Sequence, residues 1–192
     1  MSSILLAAAG STQWDSEQRL QGSRSLPLSQ EGRQQVHQVA TQLADMPLKA
    51  IYTGNSTHCL ESARILAQNH RLRVRCLHSL DEVNQGLWEG LRLTELERCY
   101  ARSYRAWRHD PKSVRPPDGE TLTQAYERVR SALADITRRH RQALTAIVAP
   151  RLVRALIQCC LRGLGPEAVW DVYREDAQWE VFSVPDSSVG KA

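Results

Sequence analysis

The chain reads as an α/β protein, a three-layer sandwich with a mostly parallel central sheet and helices on both faces. Three observations predict this. Short apolar runs (Ile4–Ala7, Ile51–Tyr52, Leu144–Val148) alternate with stretches whose apolar residues recur at helical spacing. The chain carries no internal repeat, low-complexity segment or composition shift that would divide it. Its 192 residues suffice for one such domain to bury most of its apolar surface.

Each element follows from local signals. Ile4–Ala7 is a central strand that runs into a loop at Gly10-Ser11. Residues 15–30, polar and holding Gly22 and Pro27, read as a loop. Ser29 suits an N-cap, and Val36, Val39 and Leu43 give the following helix its apolar side. Lys49–Thr53 is a second strand, turned by Gly54-Asn55 into a helix from about Ser56 to Asn69. Arg73–Leu77 alternates and reads as a third strand. A loop at 81–90 surrounds Gly86 and Gly90, helical pattern continues to about Trp107, and Pro111, Pro116 and Pro117 then interrupt the chain. Glu120 to about Arg141 is the longest helix, with Leu122, Tyr126, Val129, Leu133 and Ile136 on one face. Leu144–Val148 is a buried strand. Pro150 suits the first position of a helix whose apolar side holds Ala155, Leu156 and Cys159. Val169–Tyr173 and Trp179–Val184 read as late strands. Residues 1–185 are expected to form one domain, and 186–192 a frayed tail.

Composition narrows the function. A net charge of +4, with basic and acidic residues interspersed, reads as a mixed surface, and no nucleic-acid partner is expected. Five cysteines (Cys59, Cys76, Cys99, Cys159, Cys160) are an odd number and include no C-x-x-C pair. A disulfide framework or zinc site is therefore not expected, and reduced thiols in a cytoplasmic protein are. No metal site or cofactor is expected. The apolar run Ile4–Ala9 is too short to span a membrane and follows no basic region, so neither signal peptide nor membrane association is expected.

In a mostly parallel sheet the functional crevice lies outside the carboxyl ends of the strands. The loops after Ala7, Thr53 and Val148 are therefore the candidate site. Those loops carry a resemblance. Leu6-Ala7-Ala8-Ala9-Gly10-Ser11-Thr12-Gln13-Trp14 resembles the L-V-R-H-G-E-T-E-W segment of the histidine phosphatase (phosphoglycerate mutase-like) superfamily. Arg19-Leu20-Gln21-Gly22 with Leu26-Pro27-Leu28 and Gly32 is similar to its R-x-Q-G…D-x-P-L…G run. Ile51–Ala63 resembles its strand–turn–helix element, Y-S-S…R-A-x-x-T-A. Leu80-Asp81-Glu82 with Gly86–Gly90, Pro116–Glu120, and Ala146–Leu156 complete six segments in the family's order.

The resemblance implies a phosphoglycerate mutase-like fold and, in the family, a histidine nucleophile, a second histidine, two arginines and a general acid. This chain departs from that set. Ala8 stands at the first arginine, Ala9 at the nucleophile and His58 at the second arginine. Ala149 stands at the second histidine, or Pro150 if the segment shifts by one residue. Alanine has no lone pair to attack phosphorus, and an imidazole cannot offer the guanidinium fork. Ser11 and Ser25 stand where the family has acidic residues, so the departures are spread over the site. None of the six histidines, His37, His58, His70, His78, His109 and His140, follows a strand in an Arg-His-Gly setting. Glu82 occupies the general-acid position. Its leading reading is a loop carboxylate that caps backbone amides, with a ligand contact or vestigial acid as the alternatives.

Ser11, Thr12, Gln13, Gln21, His58, Glu82 and Arg151 are the candidate ligand-binding residues. Arg24 and Arg151 are expected at the cavity mouth, and Arg154 matches the family's R-A-L arginine. Arg71, Arg73 and Arg75 read as a charged sheet edge. Gly10, Gly22, Gly86 and Gly90 read as turn residues, Trp14 and Trp88 as packing groups. Glu120 reads as a helix-heading carboxylate. His58 and Cys59 point about a third of a turn apart on a helix and are not expected to act as a pair. The expected function is a catalytically inactive relative with a binding, regulatory or scaffold role and an unidentified protein partner. The alternative is an enzyme repurposed for a phosphorylated or other anionic small molecule, without a phosphohistidine intermediate.

Overall fold

The apolar runs form the strands, and what surrounds them follows from which face of each strand carries which residue. The computed structural model describes residues 1–175 and 177–185; the tail expected at 186–192 lies outside them. In chain order the elements are β1 (Ser2–Ala8), α1 (Gln13–Ser16), α2 (Gln30–Gln42), β2 (Leu48–Thr53), α3 (Thr57–His70), β3 (Val74–Cys76), α4 (Leu93–Cys99), α5 (Ala101–His109), α6 (Leu122–Arg139), β4 (Leu144–Ala149), α7 (Arg151–Leu161), α8 (Val169–Tyr173) and β5 (Trp179–Val184). Single 3-10 turns lie at His78–Leu80, Gly86–Trp88 and Pro166–Ala168.

The sheet order is β3-β2-β4-β1-β5. β1, β2, β3 and β4 pair in parallel, and β5 adds an antiparallel edge beside β1. Side chains alternate between the faces. Ile4, Leu6, Tyr52 and Ile147 face one cluster with α6, α7 and α8. Leu5, Ala7, Ile51 and Val148 face the other, with α2 and α3. Helices thus cover both faces, which makes the three layers. Leu5 and Leu6 are 0% and 1% exposed on opposite faces of one strand, so β1 is central. Burying each contributes about 1.5–3 kcal/mol.

Local chemistry sets the helix ends. The Ser29 hydroxyl accepts from the Gly32 amide at 2.9 Å, capping α2 as expected. α3 is capped from a distance: the Thr57 amide donates at 2.9 Å to Ser25, because the Ser56 side chain makes no cap bond. α3 ends at Arg71, in left-handed backbone with φ 53°. Beside it β3 is the sheet edge, where Arg75 packs over the Tyr52 ring and donates to its hydroxyl at 3.0 Å.

Four expectations change. Val169–Tyr173 is a helix, not a strand. Its β-branched and aromatic residues suggest a strand, but Pro166 opens a turn just ahead, and Val169, Val172 and Tyr173 then fall on one helical side. Residues 15–30 are not all loop, since α1 forms a short turn at their start. The helical pattern before Trp107 is two helices, α4 and α5, broken at Tyr100. α6 begins at Leu122 behind an N-cap at Thr121, so Glu120 lies outside it. Glu120 instead accepts from the Asn84 amide at 2.9 Å and from Arg128 at 2.7 Å, which ties the 81–90 loop to α6.

Candidate ligand-binding cavity

The strand ends determine the site. Ala8 of β1 pairs with Ala149 of β4, and the Ala9 amide donates to the Ala149 carbonyl at 2.9 Å. The loops after β1 and β4 therefore leave the sheet side by side. Between them and α5, α7 and α8 opens a cavity of about 360 Å³. Its floor includes Ala8, Ala9, Gly10 and Pro150. Ala149 itself is fully buried beneath this floor and does not line it.

Of the candidate residues, Ser11, Gln21, His58, Glu82 and Arg151 line the cavity. Thr12 and Gln13 do not, because a local structure consumes them. The Thr12 amide and hydroxyl both donate to Asp15, at 2.6 and 2.8 Å, in the capping box of α1. Gln13 donates to Glu17 at 2.9 Å and points outward. Arg24 is also displaced from the mouth; it is exposed and pairs with Glu89 at 3.5 Å. Arg154 is buried, donating to the carbonyls of Ala177 and, at 2.8 Å, Glu175, and so holds the segment after α8 against α7.

Glu82 touches both the cavity and the helix behind it. Its carboxylate accepts from the amides of Leu152 and Val153, each at 3.1 Å, and from Val83 at 2.8 Å. The N-cap of α7 is Pro150, whose side chain offers no acceptor. Glu82 supplies the missing cap from about a third of the chain away, the structural role expected of it. Burial pushes its carboxyl up to about 7, against the opposing pull of these amides and of Arg128.

His58, near the start of α3, is held neutral: burial drives it down to about 4, outweighing Asp15 and Glu61. Both ring nitrogens are engaged. Gln21 Nε2 lies 3.0 Å from Nδ1, and Cys59 Sγ lies 3.4 Å from Nε2. With the amide donating to Nδ1, the ring proton sits on Nε2 and faces the sulfur. The two neighbours thus make contact, contrary to the helical-wheel expectation. Burial pushes the Cys59 thiol far up, however, so neither member is charged and no thiolate–imidazolium pair forms.

Sequence reasoning passed over the far wall. Trp107 of α5 and Trp170 of α8 meet edge to face at 4.4 Å, and the Trp170 indole donates to the Trp107 carbonyl at 2.8 Å. Tyr173 follows at 5.5 Å from Trp170. Arg108 lies over Trp170 at 5.1 Å and Arg151 over Tyr173 at 4.5 Å. The spacing of Trp107 and Arg108 in the sequence carries no hint that they face Trp170, 62 to 63 residues on, and reading Val169–Tyr173 as a strand hid the side that they meet. Among the described residues no group of three or more His, Cys, Asp or Glu side chains is placed to hold a metal ion. Likewise no helix among them is long and apolar enough to cross a membrane.

A mostly parallel sheet with its crevice at the carboxyl ends of β1 and β4 defines an α/β fold of the phosphoglycerate mutase-like class. Residues 4–189 match the histidine phosphatase superfamily (branch 1), and the chain belongs to that superfamily. Phosphoserine phosphatase 1 of Hydrogenobacter thermophilus is 24% identical over 186 residues, covering 97% of this chain and 88% of the relative. Phosphoglycerate mutase-like protein 4 of Arabidopsis thaliana is 27% identical over 159 residues, covering 81% of this chain and 69% of the relative. The solved structure of YhfR from Bacillus stearothermophilus superposes with a TM-score of 0.83 at 26% identity, covering 88% of this chain and 84% of its own.

Proposed function

We propose that this chain is a non-catalytic member of its superfamily that uses the cavity to bind rather than to transfer phosphate. The observation that carries the reading is the floor. Ala8, Ala9 and Pro150 line it, and Ala149 lies below, where the resemblance puts an arginine and two histidines. No side chain of Ala8, Ala9 or Pro150 can attack phosphorus, and among the described residues the one imidazole that lines the cavity, His58, is held neutral by burial with both nitrogens engaged.

The relatives are named as a phosphatase and a mutase-like protein, so the alternative of a repurposed enzyme needs weighing. Glu82, titrating near neutrality beside the cavity, would be its acid. That carboxylate accepts hydrogen bonds from three backbone amides, which supports the capping role instead. A binding role leaves room for a regulatory or scaffold function with a protein partner in the cytoplasm.

The test is hydrolysis of phenyl phosphate at pH 5 to 8. The expected result is no phosphate release above buffer. Turnover that Glu82→Gln abolishes would overturn the proposal.

A further inference from the structure

The cavity is polarised, and in the sense opposite to a site that grips phosphate at its floor. Besides the cations at its mouth, its charged lining is the carboxylates of Asp15 and Glu82 and two arginines, Arg19 and Arg154, that donate to backbone carbonyls. Small apolar groups of Ala8 and Ala9 line its floor with the amides of Gln21 and Gln85, while Gln35 is exposed and accepts from the Ser11 hydroxyl at 2.8 Å. Gln85 is only 3% exposed, and its side-chain carbonyl has no hydrogen-bond partner among the described residues. A buried acceptor of this kind is costly unless something donates to it, about 1–3 kcal/mol.

The cations are at the outer end. Arg108 and Arg151 lie over Trp170 and Tyr173, on rings 5.5 Å apart. Both side chains are exposed, and among the described residues neither pairs with a carboxylate. Stacking fixes the plane of a guanidinium while its N–H edge stays available to an anion. Both arginines act electrostatically on the Tyr173 hydroxyl, which places them around one ring.

Building on the non-catalytic reading, we infer that the cavity takes a small organic anion tail-first. Its carboxylate or phosphate sits at the rim between Arg108 and Arg151, and its uncharged, hydrogen-bond-donating body reaches the glutamine-lined floor. The ligand then lies reversed relative to a phosphoryl group presented to a nucleophile on β1. A pocket of about 360 Å³ accommodates a molecule the size of a substituted phenyl ring.

Isothermal titration calorimetry with phenyl phosphate, 4-hydroxybenzoate and inorganic phosphate tests this. The two organic probes differ in the anion at the rim and in the donor offered to the Gln85 carbonyl, which 4-hydroxybenzoate supplies and phenyl phosphate lacks, and inorganic phosphate reports the anion alone. Saturable binding of at least one organic probe is expected, tighter than that of inorganic phosphate. Replacing both rim cations, Arg108→Gln with Arg151→Gln, should weaken it by about ten-fold or more. Removing an exposed cation remote from the cavity, Arg138→Gln, should change it by less than about three-fold, which separates the rim pair from a general charge effect. A rim double variant that binds within about three-fold of wild type would overturn the orientation. So would the absence of saturable binding by either organic probe. Phosphate released during the phenyl phosphate titration is measured in the same sample. Release refutes the non-catalytic reading, whereas rim-independent binding refutes only the orientation.

Discussion

Replacing Glu82 by glutamine should expose a pH dependence of stability that wild type conceals. The Glu82 carboxyl moves from its ordinary 4.5 to about 7 on folding because burial disfavours its charge. The folded protein therefore holds this proton more tightly than the unfolded chain. Its contribution is greatest below pH 4.5, declines as pH rises to 7, and is flat above. At about 1.4 kcal/mol per pH unit, the decline amounts to at most about 3 kcal/mol. His58 works in the opposite sense. Its folded form titrates near 4 rather than 6.5, so its contribution is present above 6.5 and lost as pH falls towards 4. The two slopes offset each other in wild type. The difference between wild type and Glu82→Gln isolates the carboxylate, since His58 is common to both. Urea unfolding followed by circular dichroism at pH 5, 6, 7 and 8 measures it. The stability of wild type relative to the variant should fall by about 2–3 kcal/mol from pH 5 to 8. A difference constant within about 0.5 kcal/mol would refute the burial argument. One that rises with pH would mean that the α7 amides hold the carboxylate charged after all.

Other outcomes follow from the same geometry. Ala9→His alone should yield no phenyl phosphate turnover, because Ala8 and His58 still provide no guanidinium to hold the phosphoryl oxygens; a steady-state assay detects any gain. Gly86→Ala should destabilise by more than about 1 kcal/mol in thermal melts, since Gly86 has φ 54° and an added Cβ would press on the Pro117 carbonyl. Trp88→Ala should cost about 3–5 kcal/mol by urea denaturation, because Trp88 is 0% exposed between Tyr100 and Trp107.

The layered fold was legible because its strands are short buried runs and its main helices carry caps and apolar stripes in the sequence itself. Ser29 and the run Val36, Val39, Leu43 locate α2 without reference to anything distant. α8 was not legible. A five-residue segment of valine, tryptophan and tyrosine suits either element, and packing on α7 and Trp107 decides it. The floor of the cavity could be read, since Ala8 and Ala9 adjoin a recognisable Gly10. Which residues face that floor could not. Thr12 and Gln13 look exposed to the crevice in sequence but turn into α1, while Arg108 arrives from nearly a hundred residues away. Local capping competes for polar side chains, and only the folded arrangement shows which contact prevails.

The rings between core and rim have an optical consequence. Trp88, Trp107, Trp170 and Tyr173 form a continuous edge-to-face series, with centroids 5.7, 4.4 and 5.5 Å apart in turn. Aromatic chromophores locked this closely in a chiral setting give strong near-ultraviolet dichroism, which vanishes when fixed packing is lost. The inner end of the series is sealed in the core and the outer end borders solvent. One spectroscopic band therefore registers both the integrity of the interior and any rearrangement of the α5–α8 wall, without a label or a known ligand.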